Sequence, residues 1–124
     1  IKFGHNIINM ASREKTILDC LAHPEYCGGM KEVAPGIFEE RDNIDWEKLK
    51  GYLHKLGNSA VERRLGFILN VFGVDNSLAK ELAEKRYTGY RWLDTLEQKN
   101  TFVKSKKFGL LVNVSEEELK SEGF

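Results

Sequence analysis

Cys20, His23 and Cys27 are the tightest group of metal-ligating or nucleophilic side chains in the chain, in a C-x2-H-x3-C spacing. These donors would suit a soft divalent ion if His5 or His54 completed the set, because structural zinc takes four ligands. No second Cys/His pair follows, and Cys20 adjoins Ile17 and Leu21, where a free Cys behaves as a small buried hydrophobe. Packing is the preferred reading, and no metal is expected. Cys20 and His23 lie three residues apart on one helical face, so a nucleophile and a base could meet there. No oxyanion-hole pattern or orienting carboxylate accompanies them, and no enzymatic activity or cofactor is expected. Glu39, Glu40 and Asp42 read as a solvated charged turn in preference to a magnesium site. Gly28-Gly29 lacks a phosphate-loop pattern and reads as a chain reversal.

The basic residues suggest more. Arg63-Arg64 and Lys85-Arg86 are two cationic pairs near expected helix ends, and Arg86-Tyr87-Thr88-Gly89-Tyr90-Arg91-Trp92 interleaves bases with aromatic rings. With Lys106 and Lys107 they define the candidate surface for DNA phosphates or an acidic protein: Arg63, Arg64, Lys85, Arg86, Arg91, Lys106 and Lys107. In the alternative reading, the aromatics pack the helical layer onto a terminal hairpin and the charges stay solvated. The 19 basic and 19 acidic residues cancel, which argues against a dedicated nucleic-acid module. The cancellation is uneven along the chain. Residues 28–47 hold Glu32, Glu39, Glu40, Asp42, Asp45 and Glu47 against Lys31 and Arg41, a local charge of −4 suited to a basic partner. Residues 80–107 hold Lys80, Lys85, Arg86, Arg91, Lys99, Lys104, Lys106 and Lys107 against Glu81, Glu84, Asp94 and Glu97, a local charge of +4. An electrostatic dipole follows.

The elements that must position these groups are mostly helical. Ser12 caps a helix expected over Ala11 to His23, with Ile17, Leu18 and Leu21 inward and Pro24 beyond its end. Glu14 suits the first turn of that helix, and Asp19 is positioned to fix a neighbouring loop. Met30 to Glu40 is a second helical segment, with Pro35 predicting a kink or break. Asp45 to Leu56 puts Leu49, Tyr52, Leu53 and Leu56 on one face, and Gly57-Asn58 makes a stop. Ser59-Ala60-Val61-Glu62 reads as a capping box opening the strongest helix, whose stripe of Val61, Leu65, Ile68, Leu69 and Phe72 is widened by Phe67 and Val71. Arg63, Gly66 and Asn70 are expected on its polar side, with Arg64 on the flank. Ser77 to Arg86 forms another helix. Phe102-Val103 and Phe108 to Val114 read as a hairpin around Lys104-Ser105-Lys106-Lys107, and Ser115-Glu116-Glu117-Glu118 as a second capping box. Ile7 and Ile8 suit a further strand. The fold class is therefore α+β, mainly helical, with about five helices and a small antiparallel sheet that includes the C-terminal hairpin.

The chain has 124 residues, 41% hydrophobic, with 2 Pro and 2 Cys, and reads as one domain able to bury roughly two-thirds of its unfolded surface without staples. No apolar run approaches the roughly 20 residues that span a bilayer. The two Cys fit a reducing cytoplasm better than a secreted framework. The start Ile1-Lys2-Phe3-Gly4-His5 carries no Met and no signal-peptide pattern, and reads as following a missing upstream part.

Three segments also carry a likeness. Ser12-Arg13-Glu14-Lys15-Thr16-Ile17-Leu18-Asp19-Cys20-Leu21 with Pro24-Glu25-Tyr26-Cys27-Gly28-Gly29, then Gly57-Asn58-Ser59-Ala60-Val61-Glu62-Arg63-Arg64-Leu65-Gly66, then Phe108-Gly109-Leu110-Leu111-Val112-Asn113-Val114, resemble the C-terminal domain of type IV abortive-infection antitoxins, the AbiEi-like transcriptional regulators. The likeness runs from about Asn9 to Val114, with Pro35 as a departure from the pattern. It implies a prokaryotic, non-enzymatic regulatory domain that follows a winged helix-turn-helix. Such a domain would neutralise a nucleotidyltransferase toxin and add auxiliary contacts to operator DNA. The alternative is a protein-protein interaction or dimerisation domain of a transcription factor without DNA contact of its own.

Overall fold

A computed structural model describes residues 12–96 and 101–121. The chain enters its first helix at Ser12, whose Oγ accepts from the Lys15 amide at 3.2 Å and satisfies one of the unpaired donors of the first turn. Helix α1 (Arg13–Ala22) ends before Pro24, which opens a single 3-10 turn over Pro24–Cys27. Gly28 and Gly29, both at φ +86°, reverse the chain into α2 (Met30–Glu39), as the glycine pair predicts. Pro35 lies inside α2 without breaking it. The missing amide costs one intrahelical bond, while the buried Met30, Val33, Ala34 and Ile37 hold the helix against its neighbours.

Asp45 caps α3 (Trp46–Leu56) through its side chain, and Gly57 closes that helix in the left-handed region at φ +61°. Asn58 then caps α4 (Ser59–Val71), its Oδ1 accepting from the amides of Ala60 and Val61. The expected capping box at Ser59 and Glu62 therefore does not form, and the cap lies one residue earlier. Asn58 takes the capping role, which frees Ser59 and Glu62 to bind Arg63 and Lys85. Asn76 caps α5 (Ser77–Glu84). The second box forms as read: Glu118 N donates to Ser115 Oγ, and Ser115 N donates to Glu118 Oε1, both at 3.1 Å, opening α6 (Glu116–Ser121).

Between α5 and α6 lie three short strands, β1 (Arg91–Trp92), β2 (Val103–Ser105) and β3 (Leu110–Val112), in the order β1-β3-β2. β2 and β3 form the expected antiparallel hairpin, but Lys104 and Ser105, read as turn residues, belong to β2 opposite Leu111 and Leu110, and the turn lies after them. β1 joins parallel to β3, with Arg91 opposite Leu110, so the sheet is mixed and not wholly antiparallel. Ile7 and Ile8 lie outside the described residues. The architecture is mainly helical α+β, with six helices among the described residues where about five were expected.

Helix α4 is the centre of the core. It packs on α1 and α5, while α2 packs on α1 and α6. Every residue from Val61 to Leu69, and Val71, is buried, and Asn70 alone in that run faces solvent. The polar side expected for Arg63 and Gly66 is therefore absent: the sheet and the 87–89 segment cover it. Gly66 exists because of that cover. A Cβ there would stand 2.8 Å from one atom of the Phe108 ring and 3.2 Å from Leu82 Cβ. Overpacking of this kind costs about 1–3 kcal/mol, against a helix-propensity gain of about 1 kcal/mol for Ala over Gly. Gly66→Ala is expected to lower Tm in a thermal melt, and a variant as stable as the parent would show that Phe108 is not fixed against α4.

Candidate functional site

The surface anticipated from the basic residues begins inside the protein. Arg63 is 3% exposed and all of its nitrogens are engaged. Nε donates to Ser59 Oγ at 2.8 Å, Nη1 to the carbonyls of Gly89 and Gly109 at 3.0 Å each, and Nη2 to the Thr88 carbonyl at 2.6 Å. Its guanidinium carbon also lies 5.3 Å from the Tyr87 ring centroid. Arg64, 5% exposed, donates through Nε to the Trp92 carbonyl at 3.0 Å and through Nη1 to the carbonyls of Leu21 at 2.7 Å and Ala22 at 3.4 Å. Helix α1 has no cation in its own last turn, so Arg64 supplies from α4 the positive charge and donors that a helix C-terminus favours.

Neither arginine is the exposed phosphate contact that its sequence position suggested. Burial lowers the pKa of both from the ordinary guanidinium value, while Glu25 and Asp94 partly offset the effect at Arg64 and Tyr87 and Glu62 at Arg63. The two side chains act on geometry. Arg63 pins the 88–89 segment to Gly109 in the β2–β3 connection, and so joins the two stretches that carry the remaining cations. Gly109, at φ +61°, has no room for a side chain: a Cβ would approach Arg63 Nη1 to 2.9 Å and the Gly89 carbonyl to 3.0 Å. Gly89 and Gly109 are thus parts of the site that the charge pattern did not identify, although a glycine within one basic stretch and another just after the second was its available signal.

The other predicted residues divide in two. Lys85 is exposed, but its Nζ meets Glu62 Oε1 at 2.5 Å, so its charge is balanced locally. Arg86, Arg91, Lys106 and Lys107 are exposed, and none of them meets a carboxylate at ion-pair distance among the described residues. Of these four, Arg86 borders an open cleft of about 450 Å³, walled also by His54, Glu62, Lys85, Tyr87 and Thr88. The aromatic residues also separate. Tyr87 packs inward and donates to the Leu82 carbonyl at 2.9 Å, whereas Tyr90 stays 37% exposed. Tyr87 follows the packing reading, and Tyr90 does not.

The cysteine cluster is a packing feature. Cys20 is fully buried, and burial followed by the nearby Cys27 pushes its thiol far above the ordinary range. His23 turns outward, stacked on Tyr26 and 3.4 Å from Glu25, and His54 bonds Glu81 at 2.8 Å. Among the described residues no three His, Cys, Asp or Glu side chains converge to hold a metal, and no helix is long and apolar enough to cross a membrane. The loop-fixing part assigned to Asp19 is not played by its carboxylate: the side chain is exposed, and the Asp19 carbonyl accepts from the His23 amide. A buried acid links the loops instead, with Glu14 Oε2 accepting from the Asp45 amide at 2.9 Å.

Two expectations test the latch. Lys cannot reproduce the forked donors of Arg, so Arg64→Lys leaves carbonyls of Leu21 or Trp92 unpaired at about 1–3 kcal/mol. It should lower Tm clearly, whereas Lys106→Gln and Lys107→Gln should leave Tm nearly unchanged; equal melts for all three would refute the latch. Burial also raises the Tyr87 hydroxyl from 10.0 to about 12. The unfolded chain loses this proton first, so the contribution is complete below pH 10, and stability falls as pH rises from there through the folded value. Tyr87→Phe should flatten that part of the stability-pH curve in denaturant titrations, and an unaltered slope would exclude the assignment. Compared with known proteins, the chain matches no family model, no curated sequence and no solved structure.

Proposed function

We propose that this chain is the regulatory domain of an antitoxin-like transcriptional regulator, acting in the cytoplasm. It neutralises a nucleotidyltransferase-type toxin and adds contacts to operator DNA through phosphates. The observation that carries the reading is the group of exposed cations, Arg86, Arg91, Lys106 and Lys107, drawn from the two segments that Arg63 holds together. Cations on a preordered surface attract a polyanion at long range and release its counterions when it binds. Lys85, Arg63 and Arg64 take a different part in this reading. Their charges are already engaged, and they hold the surface in shape.

Binding, and not chemistry, is the activity we assign. The acidic exposed residues Glu39, Asp42 and Glu47, around the end of α2 and the start of α3, would meet a basic face of the toxin. A second reading, a protein-protein interaction or dimerisation domain, is favoured by one specific feature. Leu56, 49% exposed, borders a mainly apolar groove of about 330 Å³ between α1 and α3, lined also by Leu18 and Tyr52.

Mobility shifts on duplex DNA at several salt concentrations separate the two. The combined variant Arg86→Gln, Arg91→Gln, Lys106→Gln and Lys107→Gln should weaken binding at least about tenfold and flatten the salt dependence by roughly 0.9 for each phosphate no longer neutralised. Binding equal to that of the parent chain would refute the DNA-contacting reading and leave the interaction domain.

A further inference from the structure

The outer face of the sheet carries a feature that phosphate binding does not use. Trp92, Leu111 and Lys104 are register partners and so share one face, and strand alternation adds Tyr90 and Phe102 to it. The rings confirm this placement. Trp92 and Phe102 meet edge to face with centroids 5.4 Å apart, and Lys104 Nζ lies 5.4 Å from the Tyr90 centroid. Tyr90 and Phe102 remain 37% and 44% exposed. The opposite face, with Leu110 fully buried, lies on the core. Residues 85–93 and 101–112, which build this sheet, include Lys85, Arg86, Arg91, Lys104, Lys106 and Lys107 and not one acid.

Exposed flat rings set among cations that, Lys85 apart, meet no carboxylate at ion-pair distance among the described residues suit a ligand that offers bare aromatic faces and negative charge together. An acidic protein would satisfy the cations and leave Tyr90 and Phe102 wet. Duplex DNA offers phosphates and base edges but keeps its base faces inside the stack. An unpaired strand presents both, and base-aromatic stacking tolerates any sequence. We infer that the outer sheet face binds single-stranded nucleic acid, with bases stacked on Tyr90 and Phe102 and phosphates held by Lys104 and its flanking cations. The inference rests on the regulator reading in one respect, that this surface meets nucleic acid, and it adds which form of nucleic acid is preferred.

Fluorescence anisotropy of the 124-residue chain with a short labelled oligothymidylate and with a labelled duplex tests it. Tyr90→Ala and Phe102→Ala should each weaken oligothymidylate binding about tenfold and leave duplex binding within about twofold, the stacking loss being specific to unpaired bases. Tyr90→Phe should retain the parent affinity. Tyr90→Thr and Phe102→Thr, which keep strand propensity, replace any alanine variant whose circular dichroism shows loss of fold. Unchanged oligothymidylate binding in the aromatic variants, equal losses on both ligands, or displacement of the oligonucleotide by polyglutamate as readily as by unlabelled oligothymidylate would overturn the inference. If duplex binding nevertheless responds to the four cation substitutions, the regulator reading survives without it. If neither nucleic acid binds, both fall.

Discussion

Two guanidinium groups beneath a helix covered on nearly every side must find acceptors for their donors inside the protein. At Arg63 and Arg64 those acceptors are mainly backbone carbonyls from distant parts of the chain. A buried cation without partners costs several kcal/mol, so wherever the chain folds with α4 at its centre, these carbonyls are required nearby. Arg64 thereby sets the end of α1 against β1, and Arg63 sets the 88–89 segment against Gly109. The parallel pairing of β1 with β3 follows from the second constraint, since Arg91 N donates to the same Gly109 carbonyl at 2.9 Å. A short two-residue strand has little pairing energy of its own, and the arginine holds it in register.

The same central helix decides which charges remain for an external partner. Glu62, 7% exposed, takes Lys85, and Asp94, fully buried, anchors the segment after β1 by accepting from the Leu96 amide while its main chain exchanges two bonds with the Asn113 side chain. Gly29 belongs to this arrangement, because a Cβ there would reach 2.9 Å from Leu96 and 3.3 Å from an Asp94 oxygen. Packing at the centre thus reaches the surface through a small number of polar anchors. The cations not used as anchors are the ones left facing solvent around the sheet.

Local physics made much of this fold legible in the sequence. Ser12, Gly57 and the Ser115–Glu118 box act through neighbours within four residues and the Gly28-Gly29 reversal through the nearby Pro24, and each is where the pattern put it, although Gly29 also answers to the distant Asp94 and Leu96. Failures came where a distant partner decides. Ser59 and Glu62 have a capping-box spacing, yet Asn58 is one residue nearer and Arg63 and Lys85 compete for the other two. A helical wheel assigns Arg63 to a polar side because it cannot see the sheet that closes over that side. The candidate surface was legible as a list of cations, but its division into latches and free charges depends on carbonyls 25 to 46 residues away.

Net charge is a poor guide to this chain because its two signs are used differently. Many of the acids are committed within the structure: Glu14 to the Asp45 amide, Asp45 and Ser115's partner Glu118 to helix starts, Glu40 to Arg13, Glu81 to Lys50 and His54, while the exposed Glu39, Asp42 and Glu47 stand around the end of α2 and the start of α3. A carboxylate held in this way is screened by its partner and contributes little to the field outside. Arg86, Arg91, Lys104, Lys106 and Lys107 sit on short strands and turns, which do not bring side chains three or four residues apart together as a helix does. Their charges therefore stay uncompensated at short range even though the total is zero. A neutral protein can present a cationic face when part of its acids serve the fold, others stand on a different segment, and its bases are placed where the secondary structure gives them no partners, and the sheet edge of this domain meets that condition.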